Sequence, residues 1–281
     1  MARDVFKSFT VEDVKKESKW FERRLKHSDM SFNTISSYCF ALRDFLAKNN
    51  GMVTAATLIG YKNAIMQTNA SSTVNARING LNRYLREKNI NYHLKTVKVQ
   101  KRTYVENVIS MEDYIYLKRR LRRDKDWFGY YLIWALGSTG CRVSEIVKIK
   151  VEHIYTGRMV VYGKGRERVI YITRKFMKEC QEWLEGIGKT QGFIFEQNGE
   201  PISTRKVENI VKKLGIKYKI NPEVMHPHSF RHMYAKACYS GGIGLADVSD
   251  LLGHASIETT RIYVQKTLTE QYEMINKIVS W

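Results

Sequence analysis

Proline, the residue least tolerated inside a helix, is absent from the first two hundred positions of this 281-residue chain; its three copies are Pro201, Pro222 and Pro227. Its ring fixes φ and removes a backbone donor, so a long stretch without it is free to run helix after helix. The segments TVEDVKKESKWFERRLKH, SFNTISSYCFALRDFLAKN, AATLIGYKNAIMQ and SSTVNARINGLNRYLREKN use that freedom, each carrying apolar residues at helical spacing. In the second these are Ile35, Tyr38, Leu42, Phe45 and Leu46. Thr10, Ser31, Thr54 and Ser71 stand where a side-chain oxygen can accept from free helix-end amides. Together they predict a small helical bundle over residues 1–90.

Residues 91–108, NYHLKTVKVQKRTYVENV, alternate β-branched and basic side chains without a helical stripe and read as an extended basic linker. Helical spacing resumes at SMEDYIYLKRRLRR, with Ser110 and Asp113 placed as a capping pair. The apolar WFGYYLIWALGSTG that follows predicts a buried helix. Two β-rich runs, Met159 to Tyr162 and Arg168 to Ile172, flank a Gly-Lys-Gly turn and predict a hairpin. The remaining segments are helical in period, with Gly253 placed to end one helix. The expected fold is mainly α with a small β-sheet: an N-terminal helical domain over 1–90, the linker over 91–108, and a mixed α/β domain over 109–281.

Forty-seven Lys and Arg against 28 Asp and Glu leave a formal charge of +19, a field that attracts polyanions. Both the part before Arg102 and the part after it are basic, so nucleic acid is the partner this charge favours, and both parts are expected to contribute to its binding. Cys39, Cys141, Cys180 and Cys238 form no CxxC pair, which argues against a disulfide framework and a zinc ribbon. The N-terminal residues lack an apolar signal core, and no apolar run reaches the length of a membrane span. A cytoplasmic protein without a membrane partner is expected.

Breaking a phosphodiester without a metal requires a nucleophile, cations matched to the non-bridging oxygens, and a proton donor for the departing 5′ oxygen. Arginine suits the oxygens because its planar fork gives two parallel hydrogen bonds and keeps its charge. Candidates are Arg142 in TGCRVSEI and Arg231 in PHSFRH. Taken singly, each is ambiguous: Arg142 could be a surface residue at a helix start, and a lysine in a Gly-Lys-Gly turn is ordinarily a solvated residue or a generic phosphate cradle. Tyr263 is one of 17 tyrosines, most of which must be packing residues.

Their order along the chain resolves the ambiguity. The segments resemble the tyrosine recombinase and phage integrase family, whose pattern is Arg-x-Ser-Glu, a hairpin lysine, His-x-x-Arg, Leu-Gly-His and a tyrosine. TGCRVSEI supplies Arg142, YGKGRERVIYI supplies Lys164, PHSFRH supplies His228 and Arg231, and LLGHASIETTRIYV supplies His254 and Tyr263. The resemblance runs from Ser110 to Tyr263; the N-terminal helices resemble the family's core-site-binding domain in size and helical character only. Cys141 and Phe230 are small departures that leave every reacting group in place.

The resemblance implies a bacterial or mobile-element site-specific DNA recombinase that integrates, excises or inverts DNA. Arg142 and Arg231 would clamp the scissile phosphate, and Lys164 would protonate the leaving 5′ hydroxyl. His228 and His254 would complete the shell, one accepting the tyrosine proton and the other donating to a phosphate oxygen. Glu145 would orient Arg142 or a histidine, and Tyr263 would form a 3′-phosphotyrosyl link that keeps the bond energy, so no cofactor is needed. A phenol of ordinary pKa near 10 is mostly protonated at neutral pH, so a base and nearby cations are required.

The tail TLTEQYEMINKIVSW spaces Leu268, Tyr272, Ile275 and Val279 on one helical face. Such a helix either packs on its own domain or, as the resemblance implies, docks on a neighbour in a homotetramer holding two recombination sites. Accessory DNA-bending proteins are a further partner class that the resemblance admits. A chain of this length leaves little room for an additional arm-binding domain, so simple sites are expected. Tyr272, the nearest rival nucleophile, belongs to the apolar stripe. His226, His228, His232 and Cys238 lie close together but lack the second CxxC or HExxH partner of a zinc site, and Pro227 between the first two opens a helix, so no metal is expected. Two other functions share the pattern: a type IB topoisomerase that relaxes DNA as a monomer, and a sequence-specific DNA-binding regulator that has lost cleavage.

Overall fold

The computed structural model describes residues 5–8, 10–28, 30–98, 107–163, 166–254, 256–264 and 268–279. The chain divides into two compact units, Met1–Lys101 and Arg102–Trp281. Described residues are mostly helical, with three two-stranded antiparallel ribbons rather than one small sheet. No helix among them is long and apolar enough to cross a membrane.

The first unit holds α1 (Val11–Lys26), α2 (Phe32–Lys48), α3 (Ala55–Thr68) and α4 (Ser71–Glu87), with β1 (Val5–Ser8) paired to β2 (Met52–Thr54). That short ribbon was not foreseen, because neither strand is long enough to show an alternation. Thr10, Ser31 and Thr54 cap their helices through the side chain, as expected. Ser71 does not: it is the first residue of α4, and Ala70 takes the cap position with no side-chain hydrogen bond. The apolar stripe of α2 buries Ile35, Cys39, Leu42, Phe45 and Leu46 against α1 and α4, where Phe21, Leu25, Ile78, Leu81 and Leu85 complete the core. Each such side chain contributes roughly 1.5–3 kcal/mol by leaving water. Tyr38 is only partly buried at the edge of this core.

Residues 91–98, read from sequence as linker, have no regular structure but are bound to this unit. Buried Asn82 makes a two-way clamp on Leu94, its amide donating to the Leu94 carbonyl and its oxygen accepting from the Leu94 N–H, both at 2.9 Å. Asn75 grips Val97 in the same way at 2.9 and 2.8 Å.

The second unit comprises α5 (Met111–Arg123), α6 (Trp127–Thr139), α7 (Val143–Ile146), α8 (Val151–Thr156), the hairpin β3 (Arg158–Gly163) and β4 (Arg166–Tyr171), and α9 (Arg174–Gly186). A ribbon of β5 (Glu196–Gln197) and β6 (Glu200–Pro201) leads to α10 (Thr204–Lys217), a single 3-10 turn (Pro222–Val224), α11 (Pro227–Ser240), α12 (Leu245–Leu252), α13 (Ile257–Val264) and α14 (Leu268–Ile278). Ser110 caps α5 on the Asp113 N–H, and Pro227 opens α11 where its missing donor is not needed. The expected buried helix is α6, apolar on all sides, whose Tyr130 to Leu136 lie at the centre of the main core. The hairpin pairs Met159 with Ile170 and Val161 with Arg168. Its Gly-Lys-Gly turn carries Lys164, which lies outside the described residues.

A smaller apolar cluster, Ala235, Val248, Leu252 and Tyr263, joins α11, α12 and α13. It supports the group of polar residues described next.

The Asn82 clamp yields a stability prediction. Asn82→Leu keeps the branching of the side chain but leaves the Leu94 N–H and carbonyl unpaired in the core, and is expected to destabilise the first unit by roughly 2–4 kcal/mol. Hydrogen exchange of the full chain, read by mass spectrometry, should show faster exchange of α2 and α4 amides and no change in α6; unaltered protection of α2 and α4 would contradict it.

Candidate active site

The site lies wholly in the second unit and begins with a helix end. α12 stops at Gly253, whose φ of +63° is a left-handed conformation that favours glycine. Its last carbonyls, the negative end of the helix, therefore stand open, and cations are favoured there. Arg168 on β4 donates to the Leu251 carbonyl at 2.6 Å, Arg231 on α11 to that of Leu252 at 2.6 Å, and Arg142 to that of Gly253 at 2.8 Å. Arg231 also reaches the carbonyl of Gly140 at 2.5 Å, where α6 ends in a second left-handed turn.

The three arginines differ in what remains free. Arg231 is 1% exposed, and its partners are two carbonyls and an imidazole, all neutral. Burial first, then the nearby Arg142, lower its pKa to about 10, so it stays charged at neutral pH. Arg142 caps α7 and is held by Glu145, which accepts from its guanidinium at 3.1 Å and from its backbone N–H at 2.7 Å. Its side chain is nonetheless 40% exposed and lines a cavity of about 540 Å³ together with Glu145, Arg168, Gly253 and His254. A buried, directly uncompensated cation beside a half-open one makes a receptor for an anion.

Tyr263 on α13 is 8% exposed, and three imidazoles surround it. Its hydroxyl lies 3.0 Å from His228 Nε2, its ring stacks on His232 with centroids 3.8 Å apart, and His254 tilts against it at 4.6 Å. The Arg231 guanidinium carbon sits 5.9 Å from the centre of the phenol ring.

Partners fix the protonation of His254. Its Nε2 faces an Arg231 nitrogen at 3.0 Å, and a guanidinium can only donate, so Nε2 must accept and the ring proton sits on Nδ1, donated to Thr260 Oγ1 at 2.8 Å. Its pKa is lowered to about 4 by burial and then by Arg231, which agrees with a neutral ring. Although one edge of His228 meets solvent, the protein packed around it and then Arg231 hold its pKa below the usual imidazole value. It stands neutral at pH 7, able to accept a proton from the phenol.

Of the residues singled out in the sequence, Arg142, Glu145, His228, Arg231, His254 and Tyr263 come together here, while Lys164 falls outside the described residues. The stripe on α14 turns Tyr272 and Ile275 outward, at 66% and 54% exposure; the side chain of Leu268 is outside the described residues. Three site residues were missed. Arg168 had a signal: alternation along β4 puts it on the face of buried Ile170 and Ile172, a position where a charge requires a reason. His232, one helical turn after His228, was weighed only as a metal ligand. Thr260 gave no signal, since a threonine one turn before a tyrosine is commonplace.

The family model described as the phage integrase family matches residues 130–270. A tyrosine recombinase of Agathobacter rectalis is 29% identical over 171 residues, which cover 58% of this chain. The chain spans 54% of that protein's length, and less than two thirds of the XerD-type recombinases of staphylococci that it also matches. Among solved structures, the XerH site-specific recombinase bound to palindromic difH in a post-cleavage complex superposes with a TM-score of 0.69 at 17% identity, covering 98% of this chain and 90% of that one. A lambda integrase tetramer bound to a Holliday junction gives 0.68 at 16% identity, covering 92% and 78%.

The stack of His232 on Tyr263 predicts a pH effect on stability. Burial above all, then His228, lowers the His232 pKa to about 3, against about 6.5 for an unfolded histidine. Below pH 6.5 the unfolded chain takes up a proton that the folded chain refuses, so stability present above that pH is lost as the pH falls toward 3, by about 2 kcal/mol at pH 5. His232→Phe keeps the ring and removes the titration, and urea unfolding at pH 7 and pH 5 should show a pH loss smaller by about that amount. An identical loss in both proteins would refute the assignment.

Proposed function

The chain belongs to the phage integrase family, and on that premise we propose that it is a site-specific DNA recombinase that cuts and rejoins strands through a 3′-phosphotyrosyl intermediate on Tyr263. The observation that carries the reading is the phenol of Tyr263 hydrogen-bonded at 3.0 Å to a neutral histidine, His228, beside two guanidinium groups anchored on one helix end. A nucleophile, a base and an anion receptor thus occur within one group of residues.

In this reading the Tyr263 oxygen attacks phosphorus, the O–P bond to tyrosine forms and the P–O5′ bond breaks. His228 Nε2 takes the phenol proton, and Lys164 on the hairpin turn gives one to the leaving 5′ oxygen. Arg142 and Arg231 bind the non-bridging oxygens, where charge accumulates. His254, neutral and accepting from Arg231, aims that arginine, with Thr260 fixing its tautomer. One ester replaces another, so neither a metal nor a nucleotide cofactor is consumed, and attack by the freed 5′ hydroxyl reverses the step.

We assign residues 1–90 to core-site binding, 91–108 to a basic interdomain linker and 109–281 to catalysis. The +19 charge supports double-stranded DNA as the partner, and a cytoplasmic location suits such a substrate. The outward stripe of α14 supports docking on a neighbouring subunit within a homotetramer on two sites. Accessory DNA-bending proteins fit the same scheme, and whether the outcome is integration, excision or inversion follows from how two sites are arranged.

Two experiments test this. Tyr263→Phe is expected to bind DNA as wild type does and to give no covalent adduct on a denaturing gel with a nicked suicide duplex; an adduct from that variant would dismiss Tyr263 as nucleophile. Supercoil relaxation by wild type without site preference would favour a topoisomerase, and binding by wild type without any adduct a regulator. A chain ending at Thr267 is expected to bind single sites yet lose the tetrameric complex on native gels, whereas full assembly by the shortened chain would refute the role given to α14.

A further inference from the structure

Arg168 is the third arginine on the end of α12, and the cleavage scheme has no use for it as a phosphate ligand. Its side chain is 8% exposed, one guanidinium nitrogen binds Glu145 Oε2 at 2.5 Å, the other binds the Leu251 carbonyl at 2.6 Å, and its Nε is buried with no partner among the described residues. Both terminal nitrogens are thus engaged by the protein, and the side chain is far less exposed than the 40% of Arg142.

Its partners are the ones on which Arg142 depends. Glu145 is shared, with Oε1 on the Arg142 guanidinium at 3.1 Å and Oε2 both on the Arg142 backbone N–H and on Arg168. The end of α12 is shared too, Arg168 holding the carbonyl of Leu251 and Arg142 that of Gly253 two residues on. The frame closes over a bare glycine: a Cβ on Gly253 would collide with the Arg168 side chain. We propose that Arg168 is a positioning residue, which fixes Glu145 and the end of α12 so that the fork of Arg142 meets the scissile phosphate at one angle. This rests on the recombinase reading.

A structural role alone explains the arrangement poorly. Burying an arginine–glutamate pair on the core face of a strand, beside Ile170 and Ile172, is a weak device for stability, because desolvation opposes the attraction and apolar residues fill such a position at least as well. The pair does supply direction. Without Arg168, Glu145 keeps its carboxylate and only Arg142 is left to balance it, drawing that guanidinium away from the phosphate and turning a negative field toward it.

The test uses the full chain and a nicked suicide duplex carrying the sequence that wild type captures covalently from sheared DNA of the source cell. It is made in two forms, with a normal scissile phosphate and with a methylphosphonate, whose neutral methyl replaces one charged oxygen; the two diastereomers are assayed separately. On phosphate, Arg168→Ala should slow adduct formation on the order of 10–100-fold, the size typical of groups that orient a ligand. On the diastereomer whose methyl replaces the oxygen gripped by Arg142, the gap should close to less than about threefold, because there is no charge left for Arg142 to meet. If Arg168→Ala does not fold, Arg168→Lys keeps the buried charge without the fork and carries the same comparison. An equal loss on phosphate and on both methylphosphonates would mean a merely structural role, and no loss on phosphate would mean none; either overturns the proposal. Wild type that forms no adduct with any captured DNA overturns the recombinase reading beneath it, an outcome visible without any variant.

Discussion

Three guanidinium groups resting on the last two carbonyls of one eight-residue helix and on that of its capping glycine are the interaction on which this site depends. The arginines arrive from a helix cap, a hairpin strand and the interior of another helix, and nothing local to any of them brings the others near. A helix C-terminus can do so because its carbonyls lack intrahelical donors, lie within a few ångströms of one another and carry the negative end of the dipole. Gly253 completes the device by turning the chain left-handed, so that the carbonyls point outward and a large side chain can lie across the turn.

Gathering cations in this way has an electrostatic consequence. Arg142 and Arg168 both act to lower the pKa of Arg231, and Glu145 is the carboxylate set against all three. Of the three, Arg231 has only neutral hydrogen-bond partners, which favours an anion able to reach it. It also determines the state of the histidines. His228 and His254 are held neutral first by the protein around them and then by Arg231, so the cluster of cations also keeps the imidazole beside the phenol unprotonated. Anion binding and base strength thus arise from one arrangement of charge.

Much of this was legible in the sequence, for identifiable reasons. Periodicity found α2 from the face it buries, an unbroken apolar run found α6, and alternation found the hairpin. Six of the residues singled out from the sequence stand in one group. What escaped notice depended on contacts between distant segments. The β1–β2 ribbon consists of strands too short to alternate, and Ser71 was read as a cap where the helix begins one residue earlier. The attachment of residues 91–98 relies on asparagines of α4 whose purpose is invisible without their partners. Which histidine faces the phenol could not be read from spacing, because His228 and His254 are both near Tyr263 only in the folded chain. Arg168 could have been found: a cation on the apolar face of a strand contradicts the pattern around it.

Tyr263 and the arginines are also not independently placed. Thr260 lies one turn before Tyr263 on α13, and its hydroxyl accepts from His254, which in turn accepts from Arg231, which holds the end of α12. Below this chain of polar contacts the apolar cluster of Ala235, Val248, Leu252 and Tyr263 joins the same three helices. A shift of α13 that moved the phenol would pull on His254 and through it on Arg231, so the distance between the phenol oxygen and the cations is set by shared partners and not by two separate supports. Coupling of this kind holds the phenol and both guanidinium groups in one fixed arrangement.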